Sequence, residues 1–258
     1  KWEVKDGIGI VNINTFAGNT GAATEAALTA IDKATGGKPL GYVVDLRSNP
    51  GGLLGEAVRV SDAFLERGEI VSERGRDKKD IESWYAKPGD LAHGLPVIVL
   101  VDVGSASAAE IVAGALQDHR RAIVMGERSF GKGSVQGVSE LSPTSALRLT
   151  IARYYTPSGR SVQAGGIDPD IVVPQLSDPD YKSRPRVREA DLRRHLISQA
   201  TVKDEILEND TTPDPRFTAT AAELEKKGVK DFQLDYAIRT LKRLAPAPAA
   251  PSRVAKSR

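Results

Sequence analysis

The run from Pro96 to Val103 is apolar at every position except Asp102. A strand with one wet face alternates between apolar and polar residues. A strand that does not alternate is covered on both faces, as in a parallel sheet flanked by helices. Ala122-Ile123-Val124-Met125 is a second run of this kind, and Gly41-Tyr42-Val43-Val44-Asp45-Leu46 a third. Between and around them lie helical patterns. Thr20 to Thr35 is Ala-rich and stops at Gly36-Gly37, Leu53 to Leu65 is amphipathic, and Ala108 to Gln117 is predominantly apolar. Strand alternating with helix predicts an α/β fold with a mixed, largely parallel sheet and right-handed crossover helices. Such sheets place ligands beyond the carboxyl ends of their strands.

Other segments are less regular. Gly9 to Ile13 and Glu69 to Ser72 read as strands, and Arg74 to Gly94 as a polar loop or exposed hairpin. Leu147 to Tyr155 alternates and predicts a strand with one wet face. From about Ser177 a polar linker leads to helical stretches at Glu189–Ala200, Ala219–Lys227 and Phe232–Leu244. The Ala/Pro-rich tail is of low complexity and is expected to be disordered.

The chain has 258 residues, enough for one substantial core and a small second unit. Its formal net charge is +2, so no overall field points to nucleic acid or a membrane surface. There is no cysteine, which removes disulfides and thiolate metal sites. His93, His119 and His195 show no metal-ligand spacing and read as surface or helix-end residues. No apolar run approaches the ~18 residues of a membrane span. The chain opens at Lys1-Trp2-Glu3-Val4, in what reads as mid-strand. We therefore expect a longer protein whose start, with any export signal, lies outside this sequence.

Two segments carry chemistry. Gly104-Ser105-Ala106-Ser107-Ala108-Ala109-Glu110 puts hydroxyls where a strand becomes a helix. Ser107-x-x-Glu110 has the form of a capping box, which by itself accounts for the serine. A serine there also lies beside unpaired backbone N–H groups able to stabilise an oxyanion. Its small neighbours Gly104, Ala106 and Ala108 leave room for a polypeptide to approach. His119 lies twelve residues on, roughly 18 Å along a helix, and cannot serve as its base. Lys132, in Gly126-Glu127-Arg128-Ser129-Phe130-Gly131-Lys132-Gly133, follows the next strand and returns to the same sheet end. A lysine desolvated among apolar groups loses its proton more readily and can then act as base and acid. Gln136, four residues later, could orient its amine.

Together with Asp45-Leu46-Arg47-Ser48-Asn49-Pro50-Gly51-Gly52, Tyr154–Arg160 and Gly166–Asp170, these segments resemble the carboxyl-terminal processing proteases, a serine/lysine peptidase family of S41 type. The resemblance runs from about Val4 to Pro174. It implies Ser107 as nucleophile, Lys132 as general base and Gln136 as its support. It implies an oxyanion hole from Ala108 and either Gly51 or Gly52. By their position in the motifs, Ser105 and Ser129 are the fallback nucleophiles. It further implies cleavage near the C-terminus of unfolded or flexible polypeptides, with no metal or other cofactor, and a periplasmic or envelope location.

The same resemblance divides the chain into a protease core at 1–176, a helical region at 177–244 and a tail at 245–258. The helical region is a candidate oligomerisation element, and an adaptor protein is a candidate partner. A PDZ-like domain that precedes the core in the family is not found in this sequence. Two alternatives stand beside this reading. One is an inactive protease-like scaffold or interaction module. The other is nucleotide binding at Gly126-x4-Gly131-Lys132, although Gly133 stands where a phosphate loop needs Ser or Thr.

Overall fold

In the computed structural model, the structure describes residues 1–77, 79–181, 183–193, 196 and 214–245. His195 and most of the acidic stretch around Asp204–Pro215 lie outside the described residues, as does the tail from 246. The strands are β1 (Trp2–Lys5), β2 (Ile8–Asn12), β3 (Gly41–Asp45), β4 (Gly68–Gly75), β5 (Ile81–Ala86), β6 (Val97–Val101), β7 (Ala122–Gly126), β8 (Ser134–Ser142), β9 (Ser145–Tyr155) and β10 (Ile171–Val172). The helices are α1 (Thr20–Ala34), α2 (Leu54–Asp62), α3 (Ala108–Asp118), α4 (Ala221–Lys226) and α5 (Phe232–Leu244). Of the helix expected at 189–200, residues 189–193 and 196 are described, and among them Glu189–Asp191 form a single 3₁₀ turn while Leu192, Arg193 and Leu196 are not helical.

The main sheet runs β1-β2-β3-β6-β7-β10. β1 is antiparallel to β2, and every other pairing is parallel. This is the α/β arrangement that the unalternating runs predict. β3 and β6 are buried at all positions because both faces of the sheet are covered. One face packs against α1, α2 and α3 through residues such as Leu28, Ile31, Val60 and Val112. The other face packs Ile10, Val43, Ile98, Leu100 and Met125 against Phe232, Ala237, Ile238 and Leu241 of α5. Thus α5, 13 residues with an Asp231 N-cap, is the second covering layer of the sheet. Its apolar stripe faces the sheet.

The polar stretch after Arg74 forms the β4–β5 hairpin, part of a second, four-stranded antiparallel sheet of order β5-β4-β9-β8. The β8–β9 hairpin departs from the sequence expectation. Ser145 to Ile151 is exposed throughout, including the alternate residues Leu147, Leu149 and Ile151. Alternation gives these three a common face, but no layer of the described chain lies beneath it. Among the described residues no helix is long and apolar enough to cross a membrane.

Leu241 is fully buried in the second core. Leu241→Ala should therefore cost about 2–5 kcal/mol of unfolding free energy in urea denaturation. A loss within error of zero would show that α5 is not a stabilising layer.

Candidate active site

The carboxyl ends of β3, β6 and β7 lie side by side, and a functional segment leaves each. After β6 the chain turns through Asp102–Ser107 into α3. Asp102 holds this turn by accepting from Gly104 N (2.9 Å), and its own N–H donates to Ser105 Oγ (2.9 Å). Ser107 closes the turn at φ 54°, ψ −115°, a left-handed conformation rare for a side-chain-bearing residue. Such strain persists only where surrounding contacts over-determine it, and it gathers at functional sites. Ser107 and Glu110 do close the capping box. Its well-formed half is the 2.8 Å bond from the Ser107 N–H to Glu110 Oε2, whereas the hydroxyl half falls short of full hydrogen-bond geometry.

The three candidate hydroxyls separate cleanly. Ser105 is fully buried, and its Oγ donates to Leu46 O at 2.8 Å. Ser129 is 1% exposed; its Oγ donates to Glu110 Oε1 (2.5 Å) and accepts from Ile167 N (2.7 Å). Both are structural. Ser107 alone of the three is partly accessible.

Glu110, half of a capping box by its sequence, is a hub of hydrogen bonds in the fold. Its carboxylate is fully buried and accepts four hydrogen bonds. Oε1 receives Ser129 Oγ and Gly131 N (2.6 Å), while Oε2 receives Ser107 N (2.8 Å) and Lys132 N (2.9 Å). The backbone amides of Ser107 and Lys132 thus meet on one oxygen atom. They can be no farther apart than those two bonds laid end to end, a gap a lysine side chain can span. A further bond from Phe130 N to Ser105 O (2.9 Å) ties the same two segments. Burial pushes the Glu110 carboxyl up to about 7, against the pull of the Ser129 hydroxyl and the Gly131, Ser107 and Lys132 amides. A signal for this role was present in the sequence. Glu110 is the one charged side chain in the first ten residues of α3, and a carboxylate on a helix buried all round must find donors.

Lys132 is half-buried and forms no ion pair among the described residues. Beyond it the chain enters β8. The helix into which a phosphate loop opens is absent at this point, which removes the nucleotide alternative. Gln136 stands on β8 opposite Thr150, is exposed, and is joined to Lys132 by no hydrogen bond. A bulge between Val135 and Gln136 breaks the strand's alternation, so spacing alone does not set the side of the strand that Gln136 takes.

The turn after β3 lies against the Ser107 segment. Ala106 N donates to Asn49 O at 2.9 Å. Gly51, at φ 99°, is so close that a Cβ there would lie 2.8 Å from Ser107 Cβ and 3.0 Å from Ala108 N. Its own N–H is taken by Asn49 Oδ1 (2.8 Å). Gly52 N and Ala108 N have no acceptor among the described residues. His119 caps the far end of α3, with Nε2 2.7 Å from Glu69 O, and His93 is exposed. Among the described residues no group of three or more His, Cys, Asp or Glu could hold a metal ion.

The sequence model of Peptidase family S41 matches residues 7–173, which span every segment just described. The chain belongs to peptidase family S41. It is 52% identical over 198 residues to a carboxy-terminal-processing protease of Bartonella bacilliformis, covering 76% of this chain and 46% of that protein. It is 38% identical over 195 residues to a chloroplastic C-terminal processing peptidase of Tetradesmus obliquus, covering 75% of this chain and 41% of that one. Among solved structures, a photosystem II D1 C-terminal processing protease superposes with a TM-score of 0.59 at 38% identity, over 64% of this chain and 42% of that one. The S41 chain described here therefore spans less than half the length of these relatives.

The Glu110 carboxyl, 4.5 in its ordinary state, is held near 7 in the fold. A raised acid favours folding in its protonated form. Its contribution is full below about 4.5 and is lost as pH rises through about 7, on the order of 3 kcal/mol in all. Unfolding free energy from urea denaturation should fall over this window, and less steeply in Glu110→Gln. Equal slopes in the two proteins would contradict the burial argument.

Proposed function

We propose that this chain carries the catalytic core of a serine endopeptidase that works through Ser107 and Lys132. The observation that carries the reading is the shared Glu110 oxygen, which brings the two backbones together at the end of the sheet. In this mechanism the Lys132 amine takes the Ser107 hydroxyl proton as Oγ adds to the scissile carbonyl. The resulting oxyanion is met by backbone N–H groups. Ala108, at the free first turn of α3, is one donor. Gly52 is the other, since the Gly51 amide is already bound to Asn49. The lysine then returns its proton to the leaving amine, and an acyl-enzyme forms. Water, activated by the same amine, releases the product. Gln136, exposed on β8 and joined to Lys132 by no hydrogen bond, is proposed as its support on the family resemblance alone.

The names of the relatives support a substrate class: polypeptides cut near the carboxyl end. Unfolded or flexible chains fit best, because the reacting segment must lie extended across the turn after β3. A periplasmic or envelope location is proposed on the motif resemblance to the carboxyl-terminal processing proteases. An adaptor, or a second copy joined through C-terminal residues, is a partner to be tested.

The test is to incubate the chain with an unfolded protein and map products by mass. Ser107→Ala and Lys132→Ala should each lower turnover by on the order of 10⁴-fold or more and leave the melting temperature near that of the parent. Products should begin with cuts close to the C-terminus. Retained turnover in either variant would overturn the dyad, and random internal cuts would overturn the substrate class.

A further inference from the structure

The turn that supplies the oxyanion donor is not a conformation the chain adopts unaided. Ser48 stands at φ 54°, and Gly51 and Gly52 follow at 99° and 146°. Three clamps hold it. Ser48 donates its N–H to Asp102 Oδ1 (2.7 Å) and its hydroxyl to Asp102 Oδ2 (3.1 Å). Asn49 Nδ2 donates to Ile13 O (2.6 Å). The third clamp is Arg47, a largely buried guanidinium that donates to Asp45 through Nε (2.9 Å) and Nη2 (2.7 Å).

Two of these clamps come wholly from the strand ends and their turns. The Arg47 clamp is completed from elsewhere. Asp231, the N-cap of α5, accepts from Nη1 (2.9 Å) and Nη2 (2.7 Å), and Gln233 Oε1 accepts from Nη1 (3.0 Å). Asp231 lies 184 residues from Arg47 in sequence. It is itself fixed, accepting from Leu234 N (3.1 Å) and Gln175 Nε2 (2.8 Å). A forked, two-oxygen contact of this kind sets direction as well as distance. From Arg47 the path to the nucleophile is short, through Ser105 Oγ to Leu46 O (2.8 Å) and Ala106 N to Asn49 O (2.9 Å).

We infer that Asp231 is a positioning residue, which through Arg47 holds the oxyanion turn in its working conformation and makes docking of α5 a condition for full activity. This rests on the Ser107 reading above. An oxyanion contact is made in the transition state and hardly in the bound substrate, so its loss lowers kcat and spares KM.

The experiment uses the full chain and an internally quenched fluorogenic peptide, with Ser107→Ala as control. Asp231→Asn keeps the helix cap and the Asp45–Arg47 pair but spoils the fork. It should lower kcat by about 10-fold or more, with KM within about twofold. Arg47→Lys should lower kcat similarly, and adding Asp231→Asn to it should have little further effect. Ile238→Val removes one buried methyl group but leaves α5 docked and Arg47 untouched, and should leave kcat near that of the parent. A second readout does not depend on turnover: amide hydrogen exchange across residues 46–53 should quicken in Asp231→Asn and not in Ile238→Val. Unchanged kcat in Asp231→Asn, unchanged exchange, an undiminished effect in the Arg47→Lys background, or an equal loss in Ile238→Val would each overturn the inference. Turnover in Ser107→Ala equal to the parent would instead strike the Ser107 reading.

Discussion

A buried carboxylate with four donors around it is the constraint from which the site follows. Taking Glu110 out of water is costly, and its full set of hydrogen bonds offsets that cost only in part. The donors come from both segments that the proposed chemistry requires: the Ser107 amide on one side, and the Ser129 hydroxyl with the Gly131 and Lys132 amides on the other. Parallel pairing of β6 and β7 delivers these segments to one end of the sheet. It does not by itself set their separation. Glu110 does, because shifting either segment strands at least one buried polar group.

The rest of the fold serves that geometry. The sheet is a rigid platform with both faces sealed, by α1–α3 on one side and by α5 on the other. Strained backbone at Ser48 and Ser107 is tolerated because each position is pinned by a carboxylate, Asp102 in one case and Glu110 in the other. The Arg47 contact makes the C-terminal helix a participant in this bracing as well as a cover for apolar surface.

Much of this was legible in the sequence, for local reasons. Unalternating runs such as Val97–Val101 give buried parallel strands, and such sheets carry sites at their carboxyl ends, so Ser107 and Lys132 could be put at one edge before any coordinates. What was not legible depends on partners distant in sequence. Glu110 reads locally as a capping residue, and only the fold shows its other three partners. Asp231 is a helix cap in the fold, and its bond to Arg47 crosses most of the chain. Gly51 and Gly52 are equivalent as letters; the Asn49 side chain distinguishes them. Leu147, Leu149 and Ile151 alternate as a half-buried strand would, yet periodicity reports a shared face and says nothing of what covers it.

The most direct measurement of the central claim is covalent. The chain is treated with diisopropyl fluorophosphate and the adduct mapped by peptide mass spectrometry. The account predicts one adduct, on Ser107, whose rate of formation collapses when Glu110 is replaced by alanine in protein that still melts cooperatively. Labelling of Ser105 or Ser129, or equally fast labelling without the Glu110 carboxylate, would contradict it.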